Sequence, residues 1–474
     1  MENKLTRRKF IKTTAFLGIG MSFLNCETAE VQQRQGRTVS VSSNNPAIQF
    51  SRSRCRRNCS GCWDFCQRTT GVYQLPTPSG GDACVQCGQC TLFCENSALT
   101  ERLQYQQVAR EISNPDKIVI ATTAPAIRVA LGEMYNLSPG TNVEGRIVGA
   151  LNQLAVNQAI DATFSADLTV MEEASELIQR LETGNNPLPM FTSCCPAWVR
   201  FVKLFYPALL PHLSTVKSPL LMQGALVKTY FAEKQGIDPS KIVHIALAPY
   251  TAKKGEILLS GMNSAGILYG NPAMRDVDFL LTTRELAYLF NNGRVNFLQA
   301  QDAPYSSLMG TGSGAGMIFG NTGGVMEASL RTAYRLLNGE NPPAEFFNLR
   351  SVRGLDNVLQ ANIDLGKRRL NVAVVHGIHG AKSFIETIQS GTQRFDFVEV
   401  MGCTGGCIGG GGQPNVLRMD ATQLRQLRMN ALFQHDANKE IRLSYDNPQI
   451  RTIYDEFLGE PLSEKSKKLL HTTH

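Results

Sequence analysis

The sequence predicts an α/β protein, because short apolar runs alternate along it with helical patterns. The first run, residues 117–125, ends in proline, as a buried strand leading into a site does. The further runs expected to be strands cover residues 241–249, 277–283, 370–377 and 395–401. Helical patterns, for example residues 173–182 and 325–337, separate the runs and favour mostly parallel sheets. Ligands of such sheets bind beyond the carboxyl ends of the strands, where Pro125 and Pro249 lie.

The composition is that of an ordinary globular chain. Its 474 residues are enough for roughly three domains by the usual length prior. A net charge of +7 is mild, and no basic repeat occurs, so we expect no nucleic-acid partner. After the N-terminus, no apolar run is long enough to span a membrane. Eight of the 13 cysteines lie between Cys55 and Cys94, in tight spacings that favour metal over disulfides.

The first residues have the pattern of an export signal. Arg7 and Arg8 precede a short apolar run, residues 13–24, so residues 1–30 are predicted to be a twin-arginine signal peptide. That route exports folded proteins, and we therefore expect a periplasmic location. Lipid attachment at Cys26 is an alternative, although Asn25 is a poor residue before a modified cysteine. Residues 31–51 are polar and are predicted to be a linker.

Two cysteine runs within residues 52–112 predict an α+β ferredoxin-like domain with two [4Fe–4S] clusters. The first run is Cys55, Cys59, Cys62 and Cys66, and the second is Cys84, Cys87, Cys90 and Cys94. In a bacterial ferredoxin run, the fourth cysteine binds the neighbouring cluster. This rule predicts one cluster on Cys55, Cys59, Cys62 and Cys94, and the other on Cys66, Cys84, Cys87 and Cys90. Zinc or disulfides are the alternatives. The arginines around the first run either dock an acidic electron carrier or form a solvated loop; they are Arg52, Arg54, Arg56 and Arg57.

Two further cysteine pairs predict a second kind of site. Cys194 and Cys195 are adjacent, and successive side chains diverge, so one is expected to bind metal and the other to stay a thiol that carries protons. Two buried structural cysteines are the alternative. Cys403 and Cys407 precede four glycines, which predicts a backbone wrapped closely around a soft metal. The alternative is a glycine-rich surface loop.

The chain resembles the [FeFe]-hydrogenase family in three signature segments. Residues 192–198 match T-S-C-C-P-x-W, residues 399–411 match E-x-M-x-C-x-x-x-C-x-G-G-G, and the segment after Pro249 is similar to P-C-x-x-K-x-x-E. The resemblance implies a two-lobed parallel-sheet H-cluster domain at residues 113–415. Residues 416–474 resemble the small subunit of two-chain members and are fused here to the large subunit.

The resemblance also implies the roles of individual residues. The family's H-cluster is a [4Fe–4S] cube joined through a cysteine sulfur to a two-iron centre. Cys195, Cys403 and Cys407 match cube ligands, with Cys407 in the bridging place. The residues that match proton-transfer positions are Cys194, Glu173, Ser218 and Glu176. The residues expected to contact the cofactor are Lys253, Pro125 and Met401.

The implied reaction is 2H⁺ + 2e⁻ ⇌ H₂, in which the cofactor carries out the bond chemistry. A ferredoxin or c-type cytochrome is the implied electron carrier, and hydrogenase maturation proteins are the other implied partners.

One position departs from the family pattern. Where the family has a cube-ligating cysteine, this chain has Tyr250, and the nearby methionine is Ala248. Either the Tyr250 phenolate binds iron, as tyrosine does in one haem class, or three thiolates leave one corner open. Three functions are therefore weighed: an active or altered hydrogenase, a non-catalytic electron carrier or sensor, and a scaffold for cluster assembly. The retained proton-transfer residues favour the first.

Overall fold

The protein is described by a computed structural model that covers residues 39, 41–56, 59–72, 83–415 and 419–474, with only the backbone described at residues 68 and 69. The predicted signal peptide and Cys26 lie outside the described residues. The strands are β1 (Ile48–Phe50), β2 (Leu99–Glu101), β3 (Ile118–Thr123), β4 (Gln158–Asp161), β5 (Met190–Phe191), β6 (Ile242–Leu247), β7 (Phe279–Leu281), β8 (Val358–Asp364), β9 (Arg369–His376) and β10 (Phe397–Met401).

Helices surround these strands. The α-helices are α1 (Gly61–Phe65), α2 (Gln89–Phe93), α3 (Tyr105–Ile112), α4 (Glu144–Gln153), α5 (Ala162–Thr183), α6 (Pro196–Phe205), α7 (Pro219–Leu226), α8 (Ala232–Gln235), α9 (Lys253–Glu256), α10 (Ser264–Leu268), α11 (Thr283–Asn292), α12 (Gly314–Ile318), α13 (Gly324–Asn338), α14 (Gly377–Gln389), α15 (Ala421–Ala437), α16 (Pro448–Ile453) and α17 (Glu464–Leu470). Among the described residues, none of these helices is long and apolar enough to cross a membrane. The predicted α/β class is confirmed.

The first lobe is a parallel sheet with strand order β4-β3-β6-β7. All six residues of β6 are buried, which is the pattern of a strand covered by helices on both faces. One apolar core lies on each face, around Val119 and Val243 on one side and Ile120 and Ile242 on the other. The sheet therefore presents the carboxyl ends of β3 and β6 side by side.

The second lobe is a mixed sheet with order β5-β10-β9-β8, in which only β8 runs antiparallel to its neighbour. The runs predicted from the sequence correspond to β3, β6, β7, β9 and β10. Three strands of the two lobes were not predicted, namely β4, β5 and β8. Strand β5 has only two residues, β4 begins with Gln158, and β8 is a half-exposed edge strand without an apolar run.

The small N-terminal unit corrects the predicted linker boundary. Ile48–Phe50, inside the predicted linker, pairs antiparallel with Leu99–Glu101. The Asn45 Oδ1 accepts hydrogen bonds from the backbone N–H groups of Ala47 and Ile48, both at 3.0 Å. Ile48 is buried, and this apolar contact, together with the strand pairing, orders a segment whose polar composition suggested a linker.

The C-terminal segment, residues 419–474, packs along helix α5 and the second lobe through buried polar contacts. Arg331 of α13 donates two hydrogen bonds to Asp436, at 2.8 and 3.1 Å. Asp167 of α5 accepts hydrogen bonds from Ser444 at 2.8 Å and from Asn447 at 2.9 Å. The segment is therefore joined to the body of the protein by fully buried groups, for which water is not available as a substitute partner.

Candidate active site

Four strand ends from the two sheets meet at one cavity. The segments that follow β3, β5, β6 and β10 each supply part of its wall, as expected for ligand sites of parallel sheets. About 700 Å³ of space not filled by protein atoms, part of it open to solvent, lies between these segments. Its sequence-predicted wall residues are Pro125, Cys194, Cys195, Pro249, Tyr250, Lys253, Met401, Cys403 and Cys407.

The sulfurs of the three predicted cube ligands and one phenol oxygen share this cavity. The Tyr250 Oη lies 3.8 Å from the Cys195 Sγ, so the tyrosine takes the place next to the other predicted cube ligands. The backbone N–H of Gly402 lies 3.2 Å from the same Sγ and donates to it. The side-chain amide of Gln89 donates to the Sγ of Cys403 at 3.2 Å. Such N–H donors favour thiolate over thiol.

Glycine is required where the β10 loop passes these groups. A Cβ at Gly402 would lie 2.9 Å from the Tyr250 Oη and 3.3 Å from the Cys195 Sγ. Gly406 has a φ of +82°, and a Cβ there would lie 2.6 Å from the backbone nitrogen of Thr322. The loop thus approaches the cavity too closely for a side chain at these two positions.

Burial raises the pKa of several thiol groups and of the phenol group that line the cavity. It raises the pKa of both Cys403 and Cys407 to about 12. The pKa of Tyr250 is raised well above its usual value by burial and by the neighbouring Cys195 and Cys403. Iron binding requires the deprotonated form, so loading this site releases protons. The donor set, the three predicted cube-ligand thiols and a phenol around one cavity, fits an iron–sulfur cube with at least three protein ligands.

Lys253 brings a positive charge to the cavity. Its Nζ donates to the backbone carbonyl of Cys194 at 3.0 Å and pairs with Glu256 at 2.7 Å. The Lys253 side chain is nearly buried, which preserves the strength of its contacts with a bound anion. Lys253, which is predicted to contact the cofactor, therefore lies in the wall of the cavity.

Four of the residues predicted to transfer protons are buried, and we refer to them as the buried acidic path: Cys194, Glu173, Ser218 and Glu176. Burial and then the charge of Glu173 raise the pKa of Cys194 well above its usual value. The pKa of Glu173 is raised to about 8 by burial and by Glu176 and Glu399. Neither carboxylate oxygen of Glu173 has a hydrogen-bond partner among the described residues; the Ser214 hydroxyl, which lowers its pKa slightly, donates to Glu176 instead, at 2.8 Å.

Further along this path, Ser218 and Glu176 differ in how they are held. The Oγ of Ser218 is buried and has no hydrogen-bond partner among the described residues. The Glu176 carboxylate accepts from Arg180 at 2.6 Å and from the backbone N–H of Thr215 at 3.0 Å. Glu176 is therefore fixed in place, whereas Glu173 and Ser218 keep free hydrogen-bonding capacity.

The eight N-terminal cysteines line two further cavities. The outer cavity is lined by Cys55, Cys59, Cys62 and Cys94. The inner cavity, which is nearer the candidate active site, is lined by Cys66, Cys84, Cys87 and Cys90. This is the grouping that the crossed ferredoxin rule gives. No three His, Cys, Asp or Glu side chains within the described ranges converge closely enough to hold a single metal ion. Sulfurs around a cube are spaced more widely than around one zinc ion, whose bonds to sulfur are about 2.3 Å.

The inner cysteine set adjoins the active-site cavity directly. A Cβ at Gly411 would lie 2.2 Å from the carbonyl oxygen of Cys87. The Thr251 hydroxyl, next to Tyr250, donates to the carbonyl of Gln86 at 2.7 Å. The two sites are therefore separated by little more than one layer of backbone.

Sequence reasoning missed two residues that support the site. Gln89 lies between two cysteines of a ferredoxin-type run, where it reads as a spacer. Arg428 of α15 donates to the carbonyl of Ile408 at 2.7 Å and to that of Pro414 at 3.1 Å, holding the glycine-rich loop. Its distance in sequence from that loop left no local signal.

Comparisons with known proteins decide the family. The sequence profile of the "Iron only hydrogenase large subunit, C-terminal domain" matches residues 117–411. The chain belongs to the iron-only hydrogenase family. A second profile, "Iron hydrogenase small subunit", matches residues 422–474, so this family member carries both parts in one chain.

Relatives of this hydrogenase-family chain include two bacterial proteins. It is 42% identical over 394 residues to the NADP-reducing hydrogenase subunit HndD of Solidesulfovibrio fructosivorans, covering 82% of this chain and 65% of that protein, just under two thirds of its length. It is 41% identical over 309 residues to the periplasmic [Fe] hydrogenase large subunit of Nitratidesulfovibrio vulgaris, covering 65% of this chain and 71% of that protein.

The fold of the family is seen in solved structures. A variant of apo [FeFe]-hydrogenase HydA1 from Chlamydomonas reinhardtii superimposes with a TM-score of 0.69 at 38% identity, covering 78% of this chain and 99% of that one. A more distant similarity, 28% over 408 residues, links this hydrogenase-family chain to the cytosolic iron-sulfur assembly component 3 of Bos taurus, over 83% of each chain. Sequence similarity over most of its length therefore links this chain to hydrogenases and, more distantly, to an assembly component.

Proposed function

We propose that this protein is an [FeFe]-hydrogenase-type oxidoreductase that catalyses 2H⁺ + 2e⁻ ⇌ H₂. The observation that carries the proposal is one cavity whose wall contains both the predicted metal ligands and a further thiol that could transfer protons. Cys195, Cys403 and Cys407 supply the wall, and Cys194 lies beside Glu173 at the start of a buried acidic path. A carrier of electrons alone has no need of that path.

In this proposal, Cys195, Cys403 and Cys407 would hold the cube of the H-cluster, and Tyr250 would take the position of the fourth protein ligand. When bound, the cofactor supplies the redox chemistry that joins two protons and two electrons. Lys253 orients the cofactor by a charge-assisted hydrogen bond to a negatively charged ligand. Pro125 and Met401 supply apolar wall that limits access of water to the cavity.

Protons reach the cavity through this chain's own side chains. The order that we propose is Glu176, Ser218, Glu173 and then the Cys194 thiol. A pKa of about 8 makes Glu173 suited to both accepting and donating a proton near neutral pH. The Ser218 hydroxyl, which has no hydrogen-bond partner among the described residues, can donate to one carboxylate while accepting from a protonated carboxyl group.

Electrons travel through the N-terminal unit. We propose that residues 52–112 form the ferredoxin-like domain, with [4Fe–4S] clusters in the two cysteine-lined cavities. The outer cavity lies near exposed Arg52, Arg54 and Arg56, which favour docking of an acidic electron carrier such as a ferredoxin or c-type cytochrome. Arg57 lies outside the described residues. Export by the twin-arginine route, with maturation in the cytoplasm before it, belongs to the same proposal.

A second function is favoured by one residue. Tyr250 stands where a cube-ligating cysteine is expected, which would weaken the cube site, and the distant similarity to an iron-sulfur assembly component supports a function without hydrogen turnover. The alternative is therefore a non-catalytic or altered iron–sulfur electron carrier or sensor. It needs the two N-terminal clusters but no turnover of hydrogen.

One experiment separates the two functions. The full chain is matured anaerobically with hydrogenase maturation proteins, and its infrared spectrum is recorded beside a hydrogen-uptake assay. The hydrogenase proposal expects CO and cyanide bands together with H₂ turnover. A fully matured sample that contains the N-terminal clusters but lacks these bands establishes the carrier function instead.

A further inference from the structure

The C-terminal segment places a histidine at the outer end of the buried acidic path. The His471 Nδ1 lies 2.8 Å from the Thr215 Oγ1, and the same Oγ1 donates to the Glu176 carboxylate at 3.3 Å. The other ring nitrogen, Nε2, lies 3.0 Å from a Glu172 oxygen. An unbroken set of hydrogen bonds therefore joins Glu176 to a histidine that neither the family resemblance nor the sequence singles out.

The ring is held rigidly from several sides. The backbone of residues 470–472 pairs with that of residues 215–217, through N–H donors of Lys217 and Thr472, both at 2.8 Å. Glu172, which holds Nε2, is itself fixed by the Tyr454 hydroxyl at 2.6 Å. Only 7% of the His471 side chain is exposed, so the ring lies at the boundary between the buried groups of helix α5 and solvent.

Helix α5 explains why this arrangement can serve the active site. Glu172 and Glu173 are adjacent, so they leave the helix in different directions. Glu173 lies near Cys194, whereas Glu172 binds the C-terminal segment. Glu176, one turn further on, is in contact with both regions through Ser214 and Thr215. The helix thus connects the cavity to the surface at His471.

The hydrogen bonds allow two arrangements that differ by one proton. When the ring carries both protons, Nδ1–H donates to Thr215, the Thr215 hydroxyl donates to Glu176, and Nε2–H donates to Glu172. When the ring is neutral with Nε2–H kept on Glu172, the Thr215 hydroxyl donates to Nδ1 instead. Conversion of the first into the second delivers one proton to the Glu176 carboxylate, and a proton from solvent restores the first.

We propose that His471 is the outermost member of the proton relay and exchanges protons between Glu176, through Thr215, and bulk solvent. This inference rests on the proposed hydrogenase function and extends it to the C-terminal segment. The charged and titratable groups that surround the ring are Glu172, Glu176 and Arg180 of helix α5, Tyr454, and His474 of the segment itself. Hydrogen oxidation uses the same steps in the opposite direction.

The test compares two histidines of one segment. Among the described residues, the His474 ring forms one hydrogen bond, with the Ser214 carbonyl at 2.8 Å, so His474→Gln is the matched control for His471→Gln. In matured protein, His471→Gln is expected to lower H₂ turnover about 10-fold and to enlarge the solvent deuterium isotope effect, since a relay proton transfer becomes limiting. Added imidazole is expected to restore turnover in His471→Ala. Thr215→Val is expected to behave like His471→Gln.

Equal turnover and isotope effects in His471→Gln and His474→Gln overturn the inference, provided that the CO and cyanide bands are present. If those bands are absent even in the unsubstituted protein, the proposed function fails, and a turnover-independent measurement decides on the relay. NMR of labelled histidines then follows the His471 titration. Glu176→Gln is expected to move its midpoint by more than about 0.5 pH unit, and an unmoved midpoint rejects the coupling.

Discussion

The Gln89 side chain donates one hydrogen bond to the Cys403 Sγ at 3.2 Å and another to the Gly409 carbonyl at 2.7 Å. It therefore joins the cysteine-rich unit to the glycine-rich loop of the active site. Both amide protons are used, and the side chain is buried. A donor at this sulfur stabilises the more negative, reduced state of a cluster.

We expect Gln89→Leu to lower the reduction potential of the active-site cube by tens of millivolts, on the order of the effect of one hydrogen bond to sulfur. A potentiometric titration followed by EPR measures the shift. The exposed Gln106→Leu is the control and is expected to leave the potential unchanged. An unshifted potential in Gln89→Leu would show that the contact does not tune the cube.

The adjacent cysteines are expected to fail in different ways. Cys194→Ala should keep the cube and its EPR signal but lose H₂ turnover by about 100-fold or more, because a proton-transfer group is missing. Cys195→Ala should lose cube iron itself, as a ligand is missing. Iron content, EPR and H₂ assays on both variants measure this contrast. Equal iron loss in both would contradict the separate roles.

Tyr250 is tested by two substitutions. Tyr250→Cys supplies a fourth thiolate, and we expect site iron and H₂ turnover to rise, turnover by about 10-fold or more. Tyr250→Phe removes only the hydroxyl. If the phenolate binds iron, Tyr250→Phe eliminates an iron–phenolate absorption band that the native protein shows; if the corner is open, the two spectra agree. A fall in iron content on Tyr250→Cys would show that a thiolate does not fit there.

The crossed cysteine sets predict which cluster each substitution removes. Cys94→Ser is expected to disrupt the outer cluster, although Cys94 belongs to the second run, because it lines the cavity of Cys55, Cys59 and Cys62. Cys90→Ser is the matched comparison and should affect the inner cluster. EPR of the reduced protein distinguishes the two. Loss of the inner signal in Cys94→Ser would refute the crossed assignment.

Stability should depend on pH through Glu173. Its pKa is raised to about 8, from an ordinary value of 4.5, because burial disfavours the charged form. The folded state therefore binds one more proton than the unfolded state between these two values, so the free energy of unfolding falls as pH rises from 4.5 to about 8 and is level above.

Glu173→Gln removes this dependence. Relative to the native protein, we expect the variant to gain unfolding free energy on the order of a few kcal/mol by pH 8, and little at pH 4.5. Denaturant titrations across this range measure it. The exposed Glu182→Gln on the same helix is the control. A stability difference that is constant with pH would contradict the raised pKa.

The sequence anticipated the parts of the fold that have local causes. Strands β3, β6, β7, β9 and β10 are buried apolar runs, and the cysteine spacings are set by cluster geometry, so both are visible in short windows. Strands β4, β5 and β8 are too short or too exposed to leave such a pattern. The strand that contains Ile48 was also missed, because it is ordered by pairing with Leu99–Glu101, which lies far away in the sequence.

The side-chain contacts of the site were largely beyond sequence reasoning. The Tyr250 and Cys195 contact, the Gln89 and Cys403 contact and the position of His471 each join segments far apart in the chain. Such contacts follow from tertiary packing rather than from local spacing. The family resemblance supplied the candidate residues, and the structure supplied the neighbours that give them their electrostatic environment.

Covalent attachment of the C-terminal segment has a consequence for dilute solutions. Arg331 meets Asp436, and Lys217 meets Leu470, across an interface that would need a second molecule if residues 419–474 were a separate chain. A separate subunit departs when its concentration falls below the dissociation constant, whereas a tethered segment keeps an effective concentration in the millimolar range, as is common for short linkers. The fraction of molecules in which this interface is formed is therefore independent of protein concentration.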